Sequence, residues 1–224
     1  TVKTRIIGNA HHLLRLDEEV TEIPDKDSEI QLIEAFRQKL KMHRFDAVIF
    51  EDYDKGFLSE SSIKAMVEAC NEAKIPTAVD PKKRNFKHYK NVTLFKPNLK
   101  EIREGLNVSV TGSDIASLEQ ADRELRKTLN HQNTLLTLSE NGVFYSSTEN
   151  WGKLEAHLRQ IVDVSGAGDT VIGVATLCMA AGLAMDQIAF WSNIAGGLAC
   201  EKVGVVPVSR EQLRDEIIRL NSIG

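Results

Sequence analysis

The sequence predicts an α/β protein built on a mostly parallel sheet, and three observations carry that prediction. Between residues 46 and 138, short apolar runs of strand length alternate with segments whose apolar residues recur at helical spacing. Polar clusters close the strand-like runs at 52–56, 80–82 and 96–98, on the edge where open α/β sheets bind ligands. A glycine turn, Asp163-Val164-Ser165-Gly166-Ala167-Gly168-Asp169-Thr170, then opens an apolar helix.

Taken in order, residues 3–8 and 11–17 read as two β-like runs joined at Asn9-Ala10. Their polar content predicts a hairpin exposed on one face. Ile30, Ile33, Phe36 and Leu40 fall at helical spacing behind Asp27 or Ser28 as a cap. Residues 46–51 form a short buried strand that runs into Asp52-Tyr53-Asp54-Lys55-Gly56. Ser59 can cap a helix whose inner face is Ile63, Met66, Val67 and Cys70. Further strands are predicted at 75–79, 92–95 and 134–138. One helix opens on Asn98-Leu99-Lys100-Glu101, and another carries Ile115, Leu118, Ala121, Leu125 and Leu129. Strands at 143–147 and, more weakly, 154–161 precede the glycine turn, and helices at 169–181, 186–202 and 210–220 come after it. No repeat or linker divides the chain.

The 224 residues, 42% hydrophobic and 27% charged, suffice for one large domain with a proper core. A formal charge of −4 argues against nucleic acid or an anionic membrane as a general partner, so any phosphate must be met by local cations and backbone. The uncharged run 170–185 falls short of the roughly 20 residues that span a bilayer and reads as a core helix. Cys70, Cys178 and Cys200 are odd in number and form no Cys-x-x-Cys. They read as reduced, buried thiols of a cytoplasmic protein. The six histidines are scattered without metal-ligand spacing. No signal peptide is visible and there is no initiator Met, so the opening reads as the middle of a longer domain.

The glycine turn carries the chemistry. Gly166, Ala167 and Gly168 leave backbone N–H groups uncovered where a helix begins, and such a site suits phosphate. A carboxylate beside it, Asp169, would oppose anion binding. It makes sense as a base that takes a proton from whatever attacks the phosphate. No Gly-Lys-Ser/Thr comes next, which excludes a Walker P-loop. Val171 stands where the third Rossmann glycine would be, which argues against a dinucleotide-binding oxidoreductase. Asn98-x-x-Glu101 is compatible both with a helix cap and with a metal relay. Asp80-Pro81-Lys82 is either a strand-ending turn or a way to bring Lys82 or Lys83 to a phosphate. Asp52 and Lys55 sit where an acceptor could be met.

The Asp163–Thr170 motif resembles the C-terminal signature of the ribokinase-like (PfkB) sugar kinases. Arg15-Leu16-Asp17, Asp52-Tyr53-x-Lys55-Gly56, Asp80-Pro81-Lys82, Pro97-Asn98-Leu99-x-Glu101 and residues 163–173 resemble one branch, the D-glycero-β-D-manno-heptose-7-phosphate kinase domains often found within a bifunctional ADP-heptose synthase. The resemblance implies a ribokinase-like three-layer α/β/α fold. Residues 1–20 would then be a hairpin from the lid and dimerisation region, and 21–224 the C-terminal two-thirds of a kinase core. Without the opening strands and the glycine-rich sugar motif, an incomplete sugar cleft and an exposed sheet edge are expected, with ATP binding surviving better than sugar phosphorylation.

Carried over by position, the resemblance makes Asp169 the catalytic base and Gly166, Ala167 and Gly168 the γ-phosphate hole. Asn98 and Glu101 would hold Mg²⁺ through water, within the nucleotide-side segment that includes Leu99 and Lys100. Thr137, Ser139 and Gly142 would border the nucleotide, Asn193 the adenine, and Lys55, Lys82 and Asp52 the sugar phosphate. ATP, Mg²⁺ and a monovalent cation are the implied cofactors, and a cytoplasmic homodimer the implied state. Two residues depart from the pattern: Ser165 replaces a frequent Thr, and Glu51 stands where Ser is common. The alternatives are another kinase of this family, acting on ribose, fructose phosphate or a nucleoside, and a non-catalytic nucleotide-binding domain. The intact Asp169 and Glu101 argue against the last.

Overall fold

The computed structural model describes residues 2–8, 11–19, 21–156 and 161–221. It begins with an antiparallel hairpin, β1 (Val2–Gly8) and β2 (His11–Glu18), which forms a two-stranded sheet of its own. Val2, Ile6, Ile7, Leu13, Leu14 and Leu16 are all exposed, so the expectation of one open face is corrected to two. Two strands alone have no second layer to bury a face against.

Helix α1 (Lys26–Met42) comes next, capped by Asp25 and not by Asp27 or Ser28. Ser28 is the donor: its N–H reaches Asp25 Oδ1 at 2.8 Å and its hydroxyl reaches Oδ2 at 2.9 Å. A cap must precede the donors it satisfies, and this places it earlier than expected. Then come β3 (Val48–Glu51), α2 (Glu60–Glu72), β4 (Thr77–Asp80), β5 (Leu94–Phe95), α3 (Leu99–Leu106), α4 (Ile115–Leu129) and β6 (Asn133–Thr137). The chain continues through β7 (Val143–Ser146), β8 (Trp151–Leu154), α5 (Ala167–Ala180), α6 (Met185–Ala199) and α7 (Arg210–Asn221). Strands β3 to β8 lie side by side in sequence order. The first four are parallel, and β7 and β8 are antiparallel. The weak strand predicted over 154–161 is displaced to Trp151–Leu154, and 157–160 lie outside the described residues.

Consecutive apolar residues along β4 to β7 produce the layers, while β3 lies at the sheet edge with Ile49 exposed, which corrects the expectation of a buried strand there. Val79, Phe95, Leu136 and Phe144 pack on one face with Ile63, Met66, Ile102, Leu118 and Leu125 from α2, α3 and α4. Their neighbours Ala78, Leu94, Leu135 and Val143 pack on the other with Val171, Ile172, Ala175 and Ile188 from α5 and α6. Strands buried on both sides lose the polar half of the usual alternation. Each fully buried large apolar side chain contributes about 1.5–3 kcal/mol, so the two clusters are the main source of stability. The three cysteines are free thiols. Among the described residues no helix is long and apolar enough to cross a membrane.

One buried polar network ties α4 to β6 and β7. Asp122 accepts hydrogen bonds from the Thr134 and Ser146 hydroxyls and pairs with Arg126 at 3.1 Å. His131 Nε2 lies 2.6 Å from Thr134 Oγ1. Burial, then the nearby Arg126 charge, holds the imidazole down at about 4. Removing one partner of a buried pair costs about 3–5 kcal/mol. Asp122→Ala is therefore expected to lower stability by about 3 kcal/mol, measured by urea unfolding. The folded chain keeps His131 neutral where an unfolded histidine, titrating at 6.5, takes a proton. Stability is thus lost as pH falls from 6.5 towards 4. His131→Gln should flatten that decline, and an unchanged slope would show that the acid sensitivity lies elsewhere.

Candidate active site

The ends of three parallel strands place charged residues side by side. Glu51 closes β3 and is in register with Asp80, which closes β4. Lys96 comes directly after β5, and its N–H bonds the Val79 carbonyl at 2.9 Å. Facing this edge is the start of α5. Gly166 is its cap at φ +79°, a left-handed conformation that favours glycine, and a Cβ there would sit 3.0 Å from Val205 Cγ1. Asp163 holds the turn, accepting the Ser165 N–H and the Gly204 N–H at 2.9 Å each. The helix begins at Ala167, two residues earlier than predicted, so Asp169 lies in its first turn. Here the leading N–H groups have no intrahelical acceptor. A Cβ on Gly168 would lie 3.7 Å from Asp80 Oδ2 and 3.9 Å from Lys96 Nζ. The mouth of the helix therefore opens onto that ion pair.

Lys96 Nζ is 3.1 Å from Asp80 Oδ2, and its side chain is only 3% exposed. Glu51, Asp80 and Asp169 each bring a carboxylate oxygen within 4.8 Å of the other two. Burial first, then the charges of Asp80 and Asp169, push the Glu51 carboxyl up to about 7 against the pull of Lys96 and Lys82. Tyr53 donates its hydroxyl to Asp169 Oδ2 at 3.1 Å. Burial, then Asp169, pushes that phenol up to about 12, so it remains a donor. From the hairpin, Lys3 Nζ stands 5.4 Å from the centre of the Tyr53 ring.

A second cluster adjoins the first. Asn98 and Glu101 form a reciprocal capping box on α3. Asn98 Oδ1 accepts the Glu101 N–H and Glu101 Oε2 accepts the Asn98 N–H, both at 2.9 Å. Glu101 Oε1 takes Lys82 Nζ at 2.6 Å, and Lys82 also reaches Asp80 Oδ1 at 3.5 Å. Burial pulls the Lys82 ammonium down, but Asp80 and Glu101 more than offset it, and the net shift is upward. Asn98 bridges to Thr137. In the β6–β7 turn, Ser139 and Gly142 both adopt positive φ. Gly142 meets the 154–156 segment, where a Cβ would strike the Leu154 carbonyl, and Asn193 Nδ2 donates to the Glu155 carbonyl at 2.9 Å.

The structure thus brings Asp169, Gly168, Lys82, Asn98, Glu101 and Thr137 to one edge, and moves other expected residues away from it. Leu99 packs against the core. Lys100 is 80% exposed and points to Glu104. Asp52 is buried, and its carboxylate takes the Tyr89 hydroxyl at 2.8 Å, Asn85 Nδ2 at 2.9 Å and the Asp54 N–H at 2.8 Å. That geometry makes it an anchor of the 52–56 loop. Lys55 pairs with Glu19, tying the hairpin exit to the 52–56 loop. Lys96, Tyr53 and Glu51 also line this edge, and although all three fall in a cluster, a motif or a departure from pattern in the sequence, none of them is given a role there. Their signal is a charged or polar residue at the last position of an apolar strand or just beyond it.

The sequence profile of the pfkB family carbohydrate kinases matches residues 24–212. The bifunctional protein HldE of Desulfatibacillum aliphaticivorans is 35% identical over 218 residues, 97% of this chain and 44% of that protein. The chain therefore spans less than half the length of such curated relatives. Among solved structures, phosphofructokinase-2 from Escherichia coli, in complex with substrates and products, superposes with a TM-score of 0.78 at 19% identity, over 98% of this chain and 70% of that one. Arabidopsis thaliana ribokinase complexed with ribose and ATP gives 0.66 at 17%, over 88% and 60%. The fold is ribokinase-like, and the chain belongs to the pfkB family of carbohydrate kinases.

Proposed function

We propose that this chain supplies the phosphate-transfer side of an ATP-dependent sugar kinase. One observation carries the reading: a carboxylate, Asp169, sits in the first turn of a helix whose mouth faces a buried lysine. Phosphoryl transfer passes through a loose transition state, so the protein contributes positioning and charge stabilisation. The N–H groups opening α5 and the Lys96 ammonium are already in place for charge on the transferred group and need no reorganisation. As the acceptor oxygen bonds to phosphorus and the β–γ oxygen–phosphorus bond breaks, the acceptor proton passes to Asp169. Tyr53 occupies Oδ2 and so leaves Oδ1 to receive it.

Asn98 and Glu101 fit a water-mediated hold on Mg²⁺. Each Glu101 oxygen spends one lone pair within the protein, on Lys82 or on the Asn98 N–H, and keeps another. When bound, the ion would neutralise polyphosphate charge. The acceptor is the anomeric hydroxyl of D-glycero-β-D-manno-heptose 7-phosphate. That reading is supported by the likeness to HldE over nearly the whole chain and by the branch motifs at 52–56, 80–82 and 97–101. The β1–β2 hairpin acts as a lid, with Lys3 over Tyr53 as its link to the base, and its exposed apolar residues suit a second copy of the chain.

Calorimetry with ATP and MgCl₂, together with a phosphorylation assay over a panel of sugar phosphates, tests the reading. In a kinase chain that carries a complete sugar cleft, Asp169→Asn should leave ATP affinity within about threefold while lowering kcat by about 10³. Retained turnover would overturn its assignment as the base. Lys96→Met should weaken ATP binding and also cost about 3 kcal/mol in stability by stranding Asp80. Pairing it with Asp80→Asn should restore most of the stability but not the binding. If the double variant bound ATP normally, Lys96 would be structural only.

A further inference from the structure

We propose that Glu51 is a positioning residue that holds a proton beside Asp169 at neutral pH, and that this proton makes the phosphate seat receptive to a polyanion. The inference rests on the kinase reading above. It begins with where the three acids find partners. Asp80 has Lys96 at 3.1 Å and Lys82 at 3.5 Å, and Asp169 has the Tyr53 hydroxyl at 3.1 Å. Glu51 lies within 4.8 Å of both carboxylates, yet among the described residues it accepts no side-chain hydrogen bond and has no cation at ion-pair distance.

The groups facing Glu51 come from every neighbouring element. Asp80 and Lys82 lie at the end of β4, Lys96 after β5, Asp169 on α5 and Tyr53 after β3, with Lys3 of β1 above the tyrosine ring. Counting Glu101, which shares Lys82, and Lys3 above the ring, carboxyls outnumber ammoniums by four to three, and only Lys82 and Lys96 pair with these carboxylates. With all four ionised, a phosphate would arrive at a site already carrying excess negative charge. A proton relieves this at least cost on the acid that has no partner, and burial already favours the neutral form there. As pH rises through about 7, the value to which Glu51 is pushed, the carboxyl ionises and phosphate affinity falls. Binding above that pH then draws a proton from solvent.

Two measurements on the chain, its E51Q variant and its E51S variant test this. The first is the urea midpoint between pH 5 and 8.5. Folded Glu51 keeps its proton to about 7, whereas an unperturbed glutamate releases it at 4.5, so the native state binds the extra proton between those values. Wild-type stability therefore falls with rising pH across that window, and both variants should lack that part of the fall, their advantage widening towards pH 8. The second is calorimetric titration with ATP in excess MgCl₂, in buffers of different ionisation enthalpy. Wild type should take up part of a proton at pH 7.5 and lose up to about tenfold in affinity between pH 6 and 8. Both variants should do neither. E51S separates charge from side-chain shape. Parallel stability profiles, equal proton uptake in wild type and E51Q, or stabilisation of wild type but not E51Q by MgCl₂ alone would each overturn the proposal. If no protein binds ATP, the kinase reading falls together with the receptive seat, while the stability profiles still report whether Glu51 carries the proton.

Discussion

A lysine with almost no access to water sets the terms for everything around it. Lys96 at the end of β5 must be paired, because an uncompensated buried ammonium costs several kcal/mol. Asp80 answers it. Asp80 is itself buried and is shared with Lys82, and Lys82 is held in turn by Glu101, half of the α3 capping box. The cap of one helix and the edge of the sheet are thus one electrostatic unit. Apolar residues of similar volume often serve stability as well as or better than a buried pair. A pair kept at the mouth of α5 is better understood through what it can bind than through what it stabilises.

The fold places this unit without special devices. Because β3 to β6 are short and parallel, their ends arrive at one level, and the residues just beyond each apolar run land beside those beyond the next. Glu51 meets Asp80 through strand register, and Asn98 meets Thr137 through a single bridge. Helix α5 packs across β3 and β4 through the apolar face that begins at Val171 and Ile172. Its N-terminus is then set over the edge by the Asp163 clamp on Ser165 and Gly204. The apolar face decides where the helix lies, and the polar clamp decides how it starts.

How much could be read from the sequence depends on how local each cause is. Strands β4 to β7, the polar edge and the Asn98–Glu101 box depend on neighbours within a few residues, and these are found close to where the pattern places them, whereas the strand expected over 154–161 is displaced to Trp151–Leu154. The Gly166 turn is legible because its φ of +79° favours glycine. The residues whose roles differ from expectation owe their environment to distant partners. The sequence places Lys96 in a polar cluster at the ligand edge, but its burial and its pairing with Asp80 depend on residues far along the chain. A loop aspartate looks like a ligand, but Asn85 and Tyr89, far along the chain, take up Asp52. The second open face of the hairpin belongs to the same class, since no residue within β1 or β2 states whether a layer will cover it.

On the proposed reading these residues act on the chemistry one step removed. Asp52 turns inward and fixes the start of the 52–56 loop. Asp54 adds an ion pair to Arg84 at 2.8 Å, and Lys55 ties the same loop to Glu19. At Gly56, φ is +82° and a Cβ would strike the Glu22 carbonyl. Anchors at Asp52, Asp54 and Lys55, with a glycine beside them, leave Tyr53 little freedom, and Tyr53 is the residue that holds Asp169. A base must present one oxygen to its acceptor in a fixed direction, and an error of about 1 Å there can cost 10²-fold in rate. The 52–56 loop, read first as a sugar-phosphate contact, is by its bonds the support of Tyr53, and on the proposed reading it thereby aims the base.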